Sequence, residues 1–253
     1  MTENNGKTLI HPSAIVSPKA KLGLNVEIGP FTFVHDNVEI GDNSRIAGWC
    51  EIGVPTPLGN GEPLVIGANA TIRSHSVIYE SSTIGPRLVT GHHVCIREMT
   101  KAGIGLQLGS NGDIQGHCSI GDYLRTHRGV HIGQKSQIAD YVWMFPDVLL
   151  TNDPTPPSEE LIGPVVESFA VLCAKCTLLP GVRIGEGAVV GAHSLVGINV
   201  GPGMLATGSP AKVEYKASIL RLRNDFSTKA YPWKKRFHRG YPEKIVAGWL
   251  SEF

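Results

Sequence analysis

The stretch from residue 164 to residue 197, PVVESFAVLCAKCTLLPGVRIGEGAVVGAHSLVG, has a branched aliphatic residue at every sixth position. These aliphatics are Val166, Leu172, Leu178, Ile184, Val190 and Val196. The residues two positions before them are Pro164, Ala170, Cys176, Val182, Ala188 and Ser194. A strict period of six matches neither the helical period of about 3.6 residues nor the strand period of about two, so the stretch is an internal repeat.

This repeat predicts a β-solenoid. In each hexapeptide, the aliphatic and the residue two positions before it point to the same side of a short strand. Gly, Asn and Asp between the strands tolerate the backbone angles of a corner. Three strands and three corners make one triangular coil whose aliphatics fill the interior, and coils stack at about 4.8 Å. A single hexapeptide cannot bury its aliphatic, so the unit is stable only as a stack.

Two earlier ladders extend the same period. The first consists of Ile10, Val16, Leu22, Ile28, Val34, Ile40, Ile46 and Ile52. The second consists of Ile66, Ile72, Ile78, Ile84, Thr90, Ile96, Ala102, Leu108, Ile114, Ile120, Thr126, Ile132, Ile138, Met144 and Leu150. Thr90, Ala102 and Thr126 are weak rungs, which indicate either a functional site or a merely irregular coil.

Two loops and a tail interrupt or end the repeat. Residues 54–64 and 151–164 contain several prolines and are predicted to be loops extruded from corners, where substrate contacts tend to lie. We divide the chain into a solenoid domain, 1–213, and a tail, 214–253, that caps the open end. EYKASILRLRNDF, residues 214–226, predicts one capping helix, and a second is expected at about Glu243 to Leu250 after Pro242. Four basic residues of the tail either bind phosphates or form a solvated face, and they are Lys234, Lys235, Arg236 and Arg239.

Composition restricts the class of protein. The chain has 253 residues, 42% hydrophobic, and a formal net charge of +1, which favours a soluble protein and gives no reason to expect nucleic acid or a membrane surface as partner. It has no apolar run long enough for a membrane span, and MTENNGKT does not resemble a signal peptide. Five cysteines without a disulfide spacing indicate reduced thiols and a cytoplasmic location.

The repeat, the run LLPGVRIGEGAVVGAHS and the closing GSPAK, Gly208 to Lys212, resemble the hexapeptide-repeat acyltransferases over roughly residues 8–212. The resemblance implies an all-β fold, a left-handed parallel β-helix with a short C-terminal helical tail. That hand comes from the resemblance alone, because parallel crossovers are generally right-handed. The resemblance also implies a homotrimer with active sites at the subunit clefts and acetyl-CoA or another acyl-CoA as donor, without a required metal.

Four histidines flank a ladder aliphatic and are predicted to point outward: His11, His35, His127 and His131. We expect His127 to be the general base or to orient the nucleophile, because imidazole titrates near neutral pH. Arg128 and His131 are expected to contact the substrate. His117, in IQGHCSIGD, is the rival base, since this segment resembles the family's His-Asp-Cys box. However, His117 stands at the position of the family's Asp, and Gly116 stands at the position of its His.

The second loop also departs from part of the family. Galactoside and maltose acetyltransferases have Gly-His-Pro or Thr-His-Pro there, with the His as base, whereas this chain has Asn152, Asp153 and Pro154. The Thr-Asn opening of the loop is more similar to that of nucleotide-sugar N-acetyltransferases. This resemblance implies that Asp153 holds the substrate ammonium and that Asn152 contacts the substrate.

The donor site is predicted at the C-terminal coils. Ala170, Ala188 and Ala206 are spaced by one coil, and the resemblance implies that pantetheine runs along such a column of small residues. The alternative is that they are plain core residues. Gly208 and Lys212 are expected to lie at the CoA phosphates, with Lys212 as the cation.

The preferred function is therefore N-acylation, by acyl-CoA, of a nucleotide-linked amino sugar in surface-polysaccharide synthesis. O-acetylation of a sugar or of serine remains an alternative. A zinc lyase of the carbonic anhydrase kind, with His93, His127 and His131, is a minor one, because those histidines do not keep a two-coil spacing. A non-catalytic hexapeptide scaffold is another.

Overall fold

The computed structural model describes residues 7–252, and most of its strands are two residues long. The first ladder forms β1 (Leu9–Ile10), β2 (Ile15–Val16), β3 (Lys21–Leu22), β4 (Glu27–Ile28), β5 (Phe33–Val34), β6 (Val38–Ile40), β7 (Arg45–Ile46) and β8 (Glu51–Val54). The second begins with β9 (Leu64–Ile66), β10 (Thr71–Ile72), β11 (Val77–Tyr79), β12 (Thr83–Ile84), β13 (Val89–Thr90), β14 (Cys95–Ile96), β15 (Lys101–Ala102) and β16 (Gln107–Leu108). It continues with β17 (Asp113–Ile114), β18 (Ser119–Ile120), β19 (Arg125–Thr126), β20 (His131–Ile132), β21 (Gln137–Ile138), β22 (Trp143–Met144) and β23 (Leu149–Leu150).

The remaining elements follow the second loop. The third ladder forms β24 (Val165–Val166), β25 (Val171–Leu172), β26 (Thr177–Leu178), β27 (Arg183–Ile184), β28 (Val189–Val190) and β29 (Leu195–Val196). The end of the chain forms β30 (Met204–Gly208), β31 (Ala211–Lys216), β32 (Arg221–Leu222), β33 (Asp225–Lys229) and the helix α1 (Glu243–Leu250). Residues 1–6 of the predicted solenoid domain and Phe253 of the predicted tail lie outside the described residues.

Three parallel sheets form the sides of the solenoid. Sheet A runs from β1 through every third strand to β28 and ends with β30 and β31; sheet B runs from β2 to β29, and sheet C from β3 to β27. Neighbours within a sheet are one coil apart, which is 18 residues between Asp113 and His131. We name the corners A–B, B–C and C–A after the sheets that they join. The parallel β-solenoid is confirmed, while its left hand stays an expectation of the resemblance, because strand pairing alone does not determine it.

From Ile28 onward the ladder residues fill the interior as predicted, with Ala102 only half-buried, whereas Ile10 in the first coil is 47% exposed. Ile52, Ile114 and Ile132 are fully buried, and one continuous apolar cluster runs through the coils. The threonine rungs Thr90 and Thr126 are also buried, and their hydroxyl oxygens accept hydrogen bonds from the backbone N–H groups of the preceding coil. At these two positions the threonine hydroxyl therefore replaces a backbone carbonyl as acceptor in the hydrogen bonds between coils. The buried hydroxyl is satisfied in this way.

Both predicted loops leave the solenoid at the B–C corner. The first connects β8 to β9, and the second connects β23 to β24. The first is held by backbone N–H groups of Thr56 and Asn60, which donate to the side chains of Glu80 and Ser81. Substrate contacts from either loop would thus act at this corner.

The tail differs from its prediction. The expected helix over EYKASILRLRNDF is wrong, because the segment forms the end of β31, a short 3-10 turn at Ala217–Ile219 and the hairpin of β32 and β33. Strand β31 also continues three residues beyond the predicted domain boundary at 213 and pairs antiparallel with β30. The second predicted helix is confirmed as α1. The tail packs on the outer face of sheet A, since it shares an apolar cluster with Val171, Val189 and Leu205.

Between residues 7 and 252, no helix combines the length and apolar character needed to cross a membrane.

Candidate active site

An aromatic column on the C–A corner receives the tail. It consists of Tyr123, Tyr141 and Phe169, whose successive ring centroids are 5.6 and 5.0 Å apart, and we call it the covered column. Trp249 of α1 meets Tyr141 edge-on at 5.1 Å. The indole N–H of Trp233 donates to the backbone oxygen of Phe169 at 3.0 Å. These contacts fix the tail against one corner and the adjoining sheet.

Arg125 connects sheet A to the tail. Its guanidinium lies 4.1 Å from the ring centroid of Tyr241 and donates to the backbone oxygens of Arg239, at 3.2 Å, and Gly240, at 2.7 Å. Gly240 is required here, because its φ is +82° and a Cβ would lie 2.7 Å from the guanidinium. Burial lowers the pKa of Arg125 and raises that of Tyr241 to about 12. The contact is a stacked cation on a neutral phenol.

Between the tail and sheet A lies a cavity of about 300 Å³, which we call the tail cavity. Its aromatic walls are Trp143, Phe145, Tyr231, Trp233 and Phe237, and its other lining residues include Val171 and the two arginines Arg236 and Arg239. His127 also lines it, with its ring stacked on Phe145 at a centroid distance of 4.9 Å. Large flat apolar walls with two guanidinium groups suit a ligand that combines a flat ring with negative charge.

A second polar cluster lies on the outer face of sheet B. The Nδ1 atom of His131 is 2.9 Å from Oδ2 of Asp113, and the side-chain amide of Gln115 donates to the same oxygen at 2.7 Å. Burial alone raises the pKa of Asp113, but these two hydrogen bonds outweigh it, so the pKa lies below its usual value. Asp113 is therefore a carboxylate near neutral pH.

His117 occupies the B–C corner beyond this cluster. Its side chain is exposed, and its backbone N–H donates to the oxygen of Glu98. Glu98 is buried and forms two hydrogen bonds with Arg97, so this carboxylate already has a partner. Within residues 7–252, no hydrogen bond holds the His117 ring in place.

In the second loop, the carboxylate of Asp153 already has hydrogen-bond partners within the loop. Both carboxylate oxygens of Asp153 accept hydrogen bonds from Ser158, one from its hydroxyl and one from its backbone N–H. Asn152 lies against Gly133, one residue beyond the strand that carries His131. The role of Asp153 as partner of a substrate ammonium stays a prediction, and the geometry gives it a structural role in any case.

The predicted site residues thus fall into two groups in one chain. His127 and Arg128 lie at the A–B corner beside the tail cavity, whereas His131 lies on sheet B, and His117, Asn152 and Asp153 lie at or beyond the B–C corner. The sequence analysis did not identify Asp113, Gln115, Arg125 or the aromatic walls of the tail cavity. One signal was present, because the residue 18 positions before His131 must be its neighbour in the preceding coil.

The predicted donor site has one geometric error. Val190 pairs with Ala206 in register, so Ala206 takes the place of a ladder aliphatic and does not stack in a column with Ala188. Ala170, Ala188 and Ala206 are all fully buried. Their side chains are therefore core residues, and contact with CoA through their backbone stays a prediction. Gly208 and Lys212 are exposed on the hairpin of β30 and β31.

Metal ligation was a further possibility for the histidines. In the described part of the chain, no three His, Cys, Asp or Glu side chains gather as ligands for a metal ion. His93 instead stacks on His75 at the A–B corner, with a centroid distance of 4.6 Å.

Comparison with known proteins supports the interpretation of the repeat. Residues 19–53 match the sequence model of the family described as "Bacterial transferase hexapeptide (six repeats)". The chain is 29% identical to the "Bifunctional protein GlmU" of Thermotoga sp. (strain RQ2), over 86% of this chain and 41% of that protein. It is 31% identical to the acyl-(acyl-carrier-protein)–UDP-N-acetylglucosamine O-acyltransferase of Saccharophagus degradans, over 53% of this chain and 49% of that protein.

A third relative is the putative serine acetyltransferase of Schizosaccharomyces pombe, which is 38% identical over 40% of this chain and 37% of that protein. The chain thus spans less than half the length of each of these three relatives.

Proposed function

This chain belongs to the hexapeptide-repeat β-solenoid proteins, and we propose that it transfers an acyl group, preferably acetyl, from acyl-CoA to the amino group of a nucleotide-linked amino sugar. The product would serve surface-polysaccharide synthesis. Transferases that act on a UDP-linked sugar or carry a serine acetyltransferase name are among its relatives. The observation that carries the proposal is the tail cavity.

The tail cavity supports a nucleotide as part of the acceptor. Trp143 and Trp233 offer ring faces and edges, and stacking of a base on such rings is worth about 1–3 kcal/mol. Arg236 and Arg239 line the same cavity, and guanidinium groups bind phosphate oxygens in pairs, so they support a phosphate-bearing acceptor. A plain acyl chain would fill the apolar walls but would leave both arginines without an anion.

The cysteines support direct attack by the acceptor rather than an acyl-cysteine intermediate. Burial raises the pKa of Cys95 and Cys118 to about 11 and that of Cys176 to about 12. It also raises the pKa of Cys50 and Cys173. A thiol must be ionised to act as a nucleophile, so none of the five is prepared for covalent catalysis near neutral pH.

A homotrimer is part of the proposal. A second aromatic column, which we call the open column, runs along the A–B corner and consists of Phe31, Trp49, His75 and His93. Phe31 and Trp49 are each 56% exposed. Exposed aromatic rows of this kind mark interfaces, and three such corners would meet on a threefold axis. Sheet A of one copy would then face sheet B of the next.

The test is acyl transfer by the purified chain. Acetyl-CoA is mixed with nucleotide-linked amino sugars, and release of the free thiol is followed together with the mass of the product. We expect thiol release that depends on the amine and is inhibited by the free nucleotide. Phe145→Ala should raise KM for the acceptor, whereas Phe33→Ala, on sheet B outside the tail cavity, should not. Absence of transfer to every amine would overturn the proposal, and transfer only to hydroxyls would assign O-acylation.

A further inference from the structure

Arg125 is a buried cation without an anion as partner. The residue is 8% exposed, and its guanidinium donates to two backbone oxygens of the tail, those of Arg239 and Gly240. Its Nε–H group is buried without a hydrogen-bond partner, and no carboxylate between residues 7 and 252 pairs with it. Because a buried charge is costly unless it is paired, the position of this arginine indicates a role beyond stability.

The tail segment that Arg125 holds contains an arginine of the tail cavity. Arg239 lines the cavity, and its backbone oxygen accepts from Arg125 at 3.2 Å. The segment lies between the 3-10 turn Trp233–Lys235 and α1, outside any helix. In the described chain, the backbone groups of Arg239 and Gly240 form hydrogen bonds only with Arg125. Arg125 therefore fixes this part of the backbone.

The two arginines of the tail cavity are held in different ways. The guanidinium of Arg236 donates to the backbone oxygen of Ala230, so its side chain is fixed within the tail. The guanidinium of Arg239 lies 5.7 Å from the ring centroid of Phe237 and has no hydrogen bond or ion pair in the part of the chain that the structure describes. The position of Arg239 therefore depends on its backbone, which Arg125 holds, whereas that of Arg236 does not.

The surroundings of Arg125 and the tail cavity are positively charged. Trp143 lies 5.1 Å from the guanidinium carbon of Arg125 and also lines the cavity, whose described lining residues include no acidic side chain. Burial lowers the pKa of Arg125, and the charge of Arg239 lowers it further, against an opposing effect of Tyr241. Three guanidinium groups without a carboxylate favour a ligand with negative charge.

We propose that Arg125 is a positioning residue for the phosphate site of the acceptor, and that it acts by holding Arg239 in the wall of the tail cavity. This inference rests on the proposed function and assigns the part of the site that selects a phosphate-bearing acceptor. Arg125 does not line the cavity itself, so it acts through the tail backbone. Loss of Arg125 should weaken binding of phosphates and leave stacking of the base intact.

The test measures dissociation constants for the common nucleoside diphosphates and their parent nucleosides, by quenching of tryptophan fluorescence. Arg125→Met keeps a long side chain but removes the charge and both hydrogen bonds. It should weaken binding of the diphosphate by about ten- to a hundredfold, as for a lost interaction with a charged group, and leave the affinity for the nucleoside unchanged. In acyl transfer it should raise KM for the acceptor with unchanged kcat. Equal losses for diphosphate and nucleoside would show a merely structural role and overturn the proposal.

A double-mutant cycle identifies the residue through which Arg125 acts. Arg239→Met should also weaken binding of the diphosphate, and adding Arg125→Met to it should cause much less further loss than in the wild type. Arg236→Met is the matched comparison, because Ala230 holds Arg236, so its effect and that of Arg125→Met should multiply. Multiplied losses for Arg125→Met and Arg239→Met would overturn the assignment.

Gly240→Ala tests the same contact with every charge retained. A Cβ at Gly240 would lie 2.7 Å from the guanidinium of Arg125, and the φ of +82° disfavours alanine, so the variant should give the same selective loss. Gly248→Ala is the control, because its Cβ would meet nothing within 4 Å and both affinities should stay unchanged. Normal binding of the diphosphate by Gly240→Ala would overturn the role of Arg125. A wild type that binds neither nucleosides nor their diphosphates would instead contradict the nucleotide-linked acceptor of the proposed function.

Discussion

The covered and open columns are built alike, but only one has its partner within the chain. All seven residues have a positive φ, between 55° and 63°: Phe31, Trp49, His75, His93, Tyr123, Tyr141 and Phe169. This conformation costs roughly 1–2 kcal/mol for a residue other than glycine. In earlier coils of the C–A corner, Asn25, Asn43 and Asn69 occupy the same position, where asparagine tolerates these angles well. The backbone conformation of the corner therefore does not require an aromatic residue. The presence of an aromatic residue there must be explained by its contacts.

For the covered column, that contact is the tail, with Trp233, Tyr241 and Trp249 all buried against it. For the open column, the described chain supplies stacking only within the row. The covered column shows that aromatic residues at a corner form a docking surface in this chain, and we propose the same role for the open column. The covered column anchors the tail that encloses the tail cavity, and the open column is proposed to form the trimer interface.

The largest expected effect is at Trp233, the tail residue that packs on Phe169 of the covered column. Trp233→Ala removes a buried indole and its hydrogen bond to Phe169, which should lower the free energy of tail docking by about 3–5 kcal/mol. Hydrogen exchange of the tail amides measures this loss, and binding of the free nucleotide should disappear with it. A tail that remains protected would show that the contact with the covered column is dispensable.

Alkaline pH should loosen the same surface. The pKa of Tyr241 is raised by burial to about 12, above the unfolded value of about 10, so its contribution is complete below pH 10 and is lost as the pH rises to 12. The loss should amount to about 2–3 kcal/mol, at 1.36 kcal/mol for each pKa unit. A pH series of tail hydrogen exchange in wild type and Tyr241→Phe checks this, since the variant should lose the contribution of Tyr241 and retain that of Tyr231, whose pKa burial also raises to about 12. Parallel curves for the two proteins would contradict it.

The open column should show an effect on association rather than on folding. Trp49→Ala should weaken the trimer by about ten- to a hundredfold, or about 1.4–2.8 kcal/mol, because it removes an exposed ring from the proposed axis. Sedimentation equilibrium measures the dissociation constant of the trimer. Leu24→Ala, which is 61% exposed beside the C–A corner, is the control and should not change it. Equal association of both variants would place the interface elsewhere.

The smallest effect is expected at His75. His75→Asn loses stacking on His93 but gains a residue that tolerates a φ of 61°, so the free energy of unfolding of the dissociated chain should change by less than about 0.5 kcal/mol. Urea denaturation at low protein concentration measures it. A loss comparable to that of Trp233→Ala would mean that the open column supports the fold itself.

Local patterns predicted most of the solenoid but little of the site. The period of six located Ile114 and Ile132 in the interior, and Pro242 marked the start of α1. The helix predicted over residues 214–226 failed, because the start of that segment completes sheet A as β31 and its end pairs as a hairpin. Tertiary pairing outweighed the helical pattern there. His127 was expected to point outward, yet nothing local indicated that the tail would close a cavity over it.

The amino-acid sequence by itself determined the solenoid, because an aliphatic residue at every sixth position can be buried only when coils stack. It also determined the outward histidines and the two loops, since both follow from position within the repeat. Only the tertiary structure decided where the tail docks and which histidine has a carboxylate at Nδ1. Arg125 reaches Gly240 across 115 residues, and Asp113 reaches His131 across 18. The first contact arises from surface complementarity, which no local pattern contains. The second follows the 18-residue coil, but only the side-chain geometry shows that the carboxylate meets Nδ1.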